Sequence, residues 1–102
     1  MSDDSVFIGL YELRLTSSGY PEQYDVYRGE EQVGYIRAEG MIAEARVPAH
    51  GGALVYDERI DGYGSFTQRE RLKHLRRATL AIDDHFLQAA LDKMHVSVDE
   101  EA

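Results

Sequence analysis

The sequence predicts an α+β domain: an antiparallel β-meander of about four to five strands, packed by a C-terminal helix that is either long or broken. Three observations predict it. Residues 7–57 alternate apolar and polar groups with a period of two, interrupted by Gly- and Pro-containing turns. The connections between those runs are short, whereas a parallel crossover needs a dozen or more residues, so neighbouring strands must run antiparallel. After residue 66 the apolar residues recur at three- and four-residue steps, the spacing of a helix face.

The first strand is read from Phe7 to Thr16, with Tyr11, Leu13 and Leu15 on one face and Glu12, Arg14 and Thr16 on the other. Ser17-Ser18-Gly19-Tyr20-Pro21 is a turn. Gln23 to Arg28 is the second strand, Gly29-Glu30-Glu31 a hairpin turn, and Gln32 to Ala38 the third strand. Glu39-Gly40 turns the chain into a fourth strand, Met41 to Val47. Pro48 to Gly52 breaks it, and Ala53 to Asp57 forms a short fifth. The outer face then carries Glu12, Arg14, Asp25, Glu44 and Arg46, whose mixed signs point to cross-strand charge pairs. Residues 1–6 read as a flexible lead-in, residues 7–95 as the single domain and residues 96–102 as a flexible acidic tail.

Thr67-Gln68-Arg69-Glu70 matches a capping box, in which the Thr hydroxyl and the Glu carboxylate satisfy free backbone N–H groups at a helix start. Leu72, Leu75, Thr79, Ile82, Phe86 and Ala89 form a stripe expected to lie across the sheet. Leu80, Leu87, Leu91 and Met94 form a second stripe, well rotated from the first. A helix from 67 to 94 is about 40 Å long, while a compact domain of this size is roughly 30–35 Å across. Either the helix breaks near Asp83-Asp84, where an Asp could cap a second helix, or its end projects and packs on another subunit.

Hydrophobic residues make up 43% of the 102 residues and charged residues 29%, a balance that fits a packed core and not a disordered chain. There are no cysteines, which excludes disulfides, zinc fingers and thiol catalysis. The start Met1-Ser2-Asp3-Asp4 is acidic where a signal peptide is basic, and no apolar run reaches the ~20 residues of a membrane span. A cytoplasmic location without a membrane partner is the expectation. The net charge of −8 opposes direct nucleic-acid binding and favours solubility or a basic partner.

Residues 59–70 partly match a calcium-binding loop: Asp61, Gly64, Phe66 and Glu70 stand at its third, sixth, eighth and twelfth positions. Arg59 occupies the place of the first carboxylate and Tyr63 that of the fifth ligand, so a turn into a capped helix is the better reading. Arg69, Arg71, Lys73, Arg76 and Arg77 form a basic cluster, of which Arg69, Lys73, Arg76 and Arg77 share a helix flank that suits phosphate or an acidic partner segment. The alternative is Arg and Lys stems covering apolar surface and pairing with nearby acids. His50, His74, His85 and His95 have no metal-ligand spacing, and no nucleophile elbow or phosphate loop is present. No catalytic residue, cofactor or metal is assigned. Of seven tyrosines, Tyr20 and Tyr63 fall in turns and are the better contact candidates.

The stretch Tyr11-Glu-Leu-Arg-Leu-Thr-Ser-Ser-Gly-Tyr-Pro-Glu-Gln-Tyr-Asp-Val-Tyr27, with Gln32-Val-Gly-Tyr-Ile-Arg37 and Gly51-Gly-Ala-Leu-Val-Tyr56, resembles small bacterial and phage-borne proteins. The resemblance covers about half the chain and implies no activity. It implies a mobile-element origin, and with it an acidic phage-type inhibitor of a host defence complex (anti-CRISPR or anti-restriction) that binds nucleic acid. The first expectation is instead a non-enzymatic interaction module that binds a protein partner or itself, a homodimer being favoured, through Leu80, Leu87, Leu91 and Met94 and the loop residues Tyr20 and Tyr63. A small hydrolase or degenerate calcium-binding domain using His50, Asp61, Glu70 or His85 is the third.

Overall fold

In the computed structural model, residues 5–101 are described, with side chains described through Met94. Six strands form one antiparallel sheet in sequence order: β1 (Ser5–Ile8), β2 (Tyr11–Ser18), β3 (Glu22–Arg28), β4 (Glu31–Glu39), β5 (Ile42–Val47) and β6 (Ala53–Arg59). One helix follows, α1 (Gln68–Glu101). The class is α+β, with six strands where four to five were expected.

The extra strand comes from the run read as Phe7–Thr16. It is cut at Gly9-Leu10 into a hairpin, with Ile8 facing Tyr11 across the turn. Gly29-Glu30 and Gly40-Met41 make the same kind of two-residue connection, and the first residue of each is a glycine with φ between 59° and 64°. A side chain there would be strained, and Gly in the first loop position suits the twist of a tight hairpin. Gly9 lies inside the apolar run Phe7-Ile8-Gly9-Leu10-Tyr11, so no polar punctuation marks its turn in the sequence. β1 begins at Ser5, inside the segment read as a lead-in; the mobility expected of residues 1–4 and 102 falls outside the described residues.

One face of the sheet is apolar. Tyr11, Leu13, Tyr24, Val26, Ile36, Ala38, Ala43 and Ala45 are buried there with Ile60, Phe66, Leu75, Ala78 and Ile82. The opposite face carries charge pairs: Arg37 meets Glu44 across β4 and β5 at 2.7 Å, as expected, whereas Arg46 to Glu44 at 3.1 Å and Arg14 to Glu12 at 3.2 Å lie within single strands. Asp25 stands opposite Arg14 in register, yet the guanidinium lies over the Tyr27 ring, 3.9 Å from its centre.

Helix α1 packs on β4, β5 and β6. Small residues set the close approach. A Cβ added to Gly34 would lie 2.6 Å from Ile82 Cδ1, and Ala38, Ala43 and Ala45 are fully buried. The buried face of the helix is Glu70, His74, Leu75, Ala78, Thr79 and Ile82. The expected packing stripe is thereby corrected at both ends. Leu72 is exposed because it lies on the flank of this narrow contact, and Phe86 and Ala89 are exposed because the sheet ends before them.

The helix does not break at Asp83-Asp84. It runs on to Glu101, and the long axis of the molecule, 52 Å, is close to the ~51 Å of an unbroken 34-residue helix. The radius of gyration, 15.1 Å, exceeds the ~13 Å of a compact chain of this length because the second half of α1 leaves the sheet. The backbone of residues 96–101, read as a flexible tail, thus belongs to the helix.

Candidate functional site

Two buried carboxylates fix the start of α1 against the sheet, and so decide which way the rest of the helix faces. Glu70 closes the expected capping box: its carboxylate accepts from the Thr67 N–H at 2.9 Å, while Thr67 Oγ1 accepts from the Glu70 N–H at 3.3 Å. It also accepts from the N–H groups of Asp61, at 2.8 Å, and Gly62, at 2.9 Å. Burial opposes its charge, but these three donors outweigh burial and, with His74 adding to them, hold the carboxyl at a pKa of about 2. A carboxylate ringed by N–H donors is arranged to accept hydrogen bonds and not to chelate a cation. Residues 59–70 therefore adopt the turn into a capped helix, and the calcium-loop spacing of Asp61 and Glu70 is incidental.

Glu22, at the start of β3, is the second anchor. Arg71 Nε donates to it at 2.8 Å, as do Ser65 Oγ at 2.8 Å, the Phe66 N–H at 3.0 Å and the Tyr24 hydroxyl at 2.5 Å. Burial pushes its pKa up, but Arg71, Tyr24, Ser65 and Phe66 overcome this and the carboxyl stays below its ordinary value. Between the anchors, fully buried His74 stacks on Phe66 and lies 3.0 Å from the Tyr56 hydroxyl, which donates to Glu58 at 2.5 Å. Arg77 holds the same Glu58 from the helix at 2.9 Å. Arg71 to Glu22 ties α1 to β3, and His74 to Tyr56 and Arg77 to Glu58 tie it to β6.

With the helix held this way, its opposite side faces outward. Leu80, Leu87, Leu91 and Met94 are 58%, 51%, 43% and 61% exposed. At ~100° per residue they fall within an arc of about 60°, on the side away from Leu75 and Ile82. Their steps also fit a heptad seam, with Asp84 as its one polar position. Up the helix, the same arc continues through exposed Arg69, Lys73 and Arg76, with Arg77 at its margin. One continuous face is therefore basic over its first half and apolar over its second. Beside Leu80 is a recess of about 220 Å³, lined by Ile8, Leu10, Tyr11, Thr79 and Asp83, where the Tyr11 hydroxyl donates to Asp83 at 2.5 Å.

The other candidates lie elsewhere. Tyr20 and Tyr63 are exposed and close together, because the Tyr20 ring covers Gly64 and the Glu22 N–H binds the Gly64 carbonyl at 2.8 Å. They sit by the helix start, away from the leucine stripe. Arg71 leaves the basic cluster and turns inward to Glu22. His50 packs edge-on against Tyr35 of β4, and His85 lies exposed beside Phe86 on α1. His74 is in the buried chain, and the side chain of His95 lies outside the described residues. Among the described residues no group of three or more His, Asp or Glu is placed to hold a metal ion, and no helix is long and apolar enough to cross a membrane.

Sequence reasoning located Glu70 through its capping box but missed Glu22, Arg71 and His74 as a unit. Glu22 and Arg71 are 49 residues apart, and no local pattern joins them. Comparison with protein-family models, with curated proteins and with solved structures gave no match.

Proposed function

We propose that this chain is a non-enzymatic protein-interaction module that self-associates through the second half of α1. The observation that carries the reading is the line of Leu80, Leu87, Leu91 and Met94, exposed on a helix that extends past its own sheet. Apolar surface arranged in a continuous patch marks an interaction site, and its removal from water is worth about 25 cal/mol per Å². The described part of the projecting segment has no sheet beneath it, so among the described residues no surface receives those side chains and a partner would supply their tertiary contacts. The internal anchors support the reading from the other side. Glu22, Glu58 and Glu70 are engaged with arginine, tyrosine or backbone donors in holding the helix.

Light scattering on the purified protein, alone and with Leu87→Glu, tests it. The expected result is a dimer that becomes a folded monomer with the substitution. A monomeric wild-type protein at micromolar and higher concentration overturns it.

A further inference from the structure

The outward face of α1 is polarised in charge, and this polarity selects both a partner and an orientation. Arg69, Lys73 and Arg76 lie on the face exposed and, among the described residues, without an acidic partner, while Arg77 shares Glu58 at 50% side-chain exposure. The middle of the face is Leu80, Leu87, Leu91 and Met94. The helix backbone then ends in the sequence Asp99-Glu100-Glu101. Such a helix complements a second copy of itself laid head to tail. A parallel pair would set the basic halves side by side, with like charges facing each other across the seam.

We infer that two copies of this chain pair through antiparallel α1 helices, with Leu87 of each opposite Leu91 of the other. This rests on the self-association proposed above and adds the partner's orientation and register. In an antiparallel seam, each residue of one heptad core position meets the other core position of the facing helix. The alignment of Leu87 on Leu91 fills the centre with leucine from both sides. It also places residue 101 of one helix across from Arg77 of the other, so that each acidic end reaches the Arg76–Arg77 edge of the partner's basic flank, with Lys73 and Arg69 about 6 and 12 Å further along the axis. The outward face is exposed over the whole described length of the helix, so the first half, although docked on its own sheet, remains open to receive the partner's end.

The chain has no cysteine, so single introduced thiols report orientation without background. In the inferred register Leu80 stands across from residue 98 of the partner, and the two Leu80 positions are about 27 Å apart along the axis at ~1.5 Å per residue. A mixture of Leu80→Cys and Val98→Cys proteins, treated with a short bismaleimide, is expected to crosslink in high yield, and Leu80→Cys alone is expected to crosslink only at background. Efficient crosslinking of Leu80→Cys to itself, in a protein that light scattering shows to be dimeric, overturns the antiparallel inference and leaves self-association standing. A monomer with no crosslinking in any sample overturns both. Leu80 is exposed, so its replacement leaves the monomer fold intact, and circular dichroism of each variant verifies this.

Discussion

The two halves of α1 are one unbroken helix under two different sets of forces. From Gln68 to Ile82 it is capped by Glu70, tied to Glu22 through Arg71, and packed by Leu75, Ala78 and Ile82 on a sheet surface kept small by Gly34, Ala38, Ala43 and Ala45. From Asp84 to Met94 every described side chain is exposed. An isolated helical segment in water is marginal below about 12–15 residues, and most helical stability in proteins comes from packing an apolar face. The first half has its tertiary support within the chain, whereas the second carries apolar groups in a helical pattern with no surface among the described residues to receive them. The difference teaches that α1 is a docked arm with a free end, and that stability and association should be separable by mutation.

The largest effect is expected where the buried Glu22 carboxylate holds the docked half. Glu22→Ala leaves the buried Phe66 N–H and Tyr24 hydroxyl without their acceptor and partly exposed Arg71 without its carboxylate, and should cost about 4 kcal/mol of stability, read from chemical denaturation. Next, Ile82→Ala opens a cavity over Gly34 and should cost about 3 kcal/mol. A cost near zero at Ile82 would break the contrast between the halves. Acid should sharpen it. The folded pKa of Glu70, about 2, lies below its ordinary 4.5, so its stabilisation is fully present above pH 4.5 and is lost as the pH falls from there through about 2. Glu22 shifts in the same direction and adds to the same acid limb. Glu70→Gln should therefore cost about 2 kcal/mol at neutral pH and flatten that limb, as measured by denaturation midpoints against pH. The smallest effect belongs to the free half. Leu91→Ser, measured at a dilution where only monomer is present, should change stability by less than about 0.5 kcal/mol. In the Leu87→Glu protein, amide exchange should be slow from about residue 71 to residue 82 and fast beyond Asp84.

The meander was legible because a sheet with one buried face writes a period of two into its sequence, and the helix start was legible because a capping box is local. The two-residue turn at Gly9-Leu10 was not, since it sits between apolar residues and changes the strand count without any polar break. The second leucine stripe was read correctly as a face distinct from the packing face, but the packing face itself was read too long. Leu72, Phe86 and Ala89 keep the helical spacing, and spacing cannot say where the sheet beneath a helix ends. Tyr20 and Tyr63 were singled out by their turns, and their proximity follows from the docking of Gly64 under Tyr20.

The sequence by itself determined the classes of element, the antiparallel order of the strands it resolved, the capped start of α1 and the presence of an apolar line on its later half. These are properties of neighbours along the chain: alternation, turn chemistry and three- or four-residue recurrence. Only the tertiary structure decided that Glu22 meets Arg71, that His74 lies inward, and that the helix runs unbroken past the edge of its sheet. Those outcomes depend on the width of the sheet, on where Gly34 and the buried alanines let the helix approach, and on contacts between residues dozens of positions apart, which no local pattern carries.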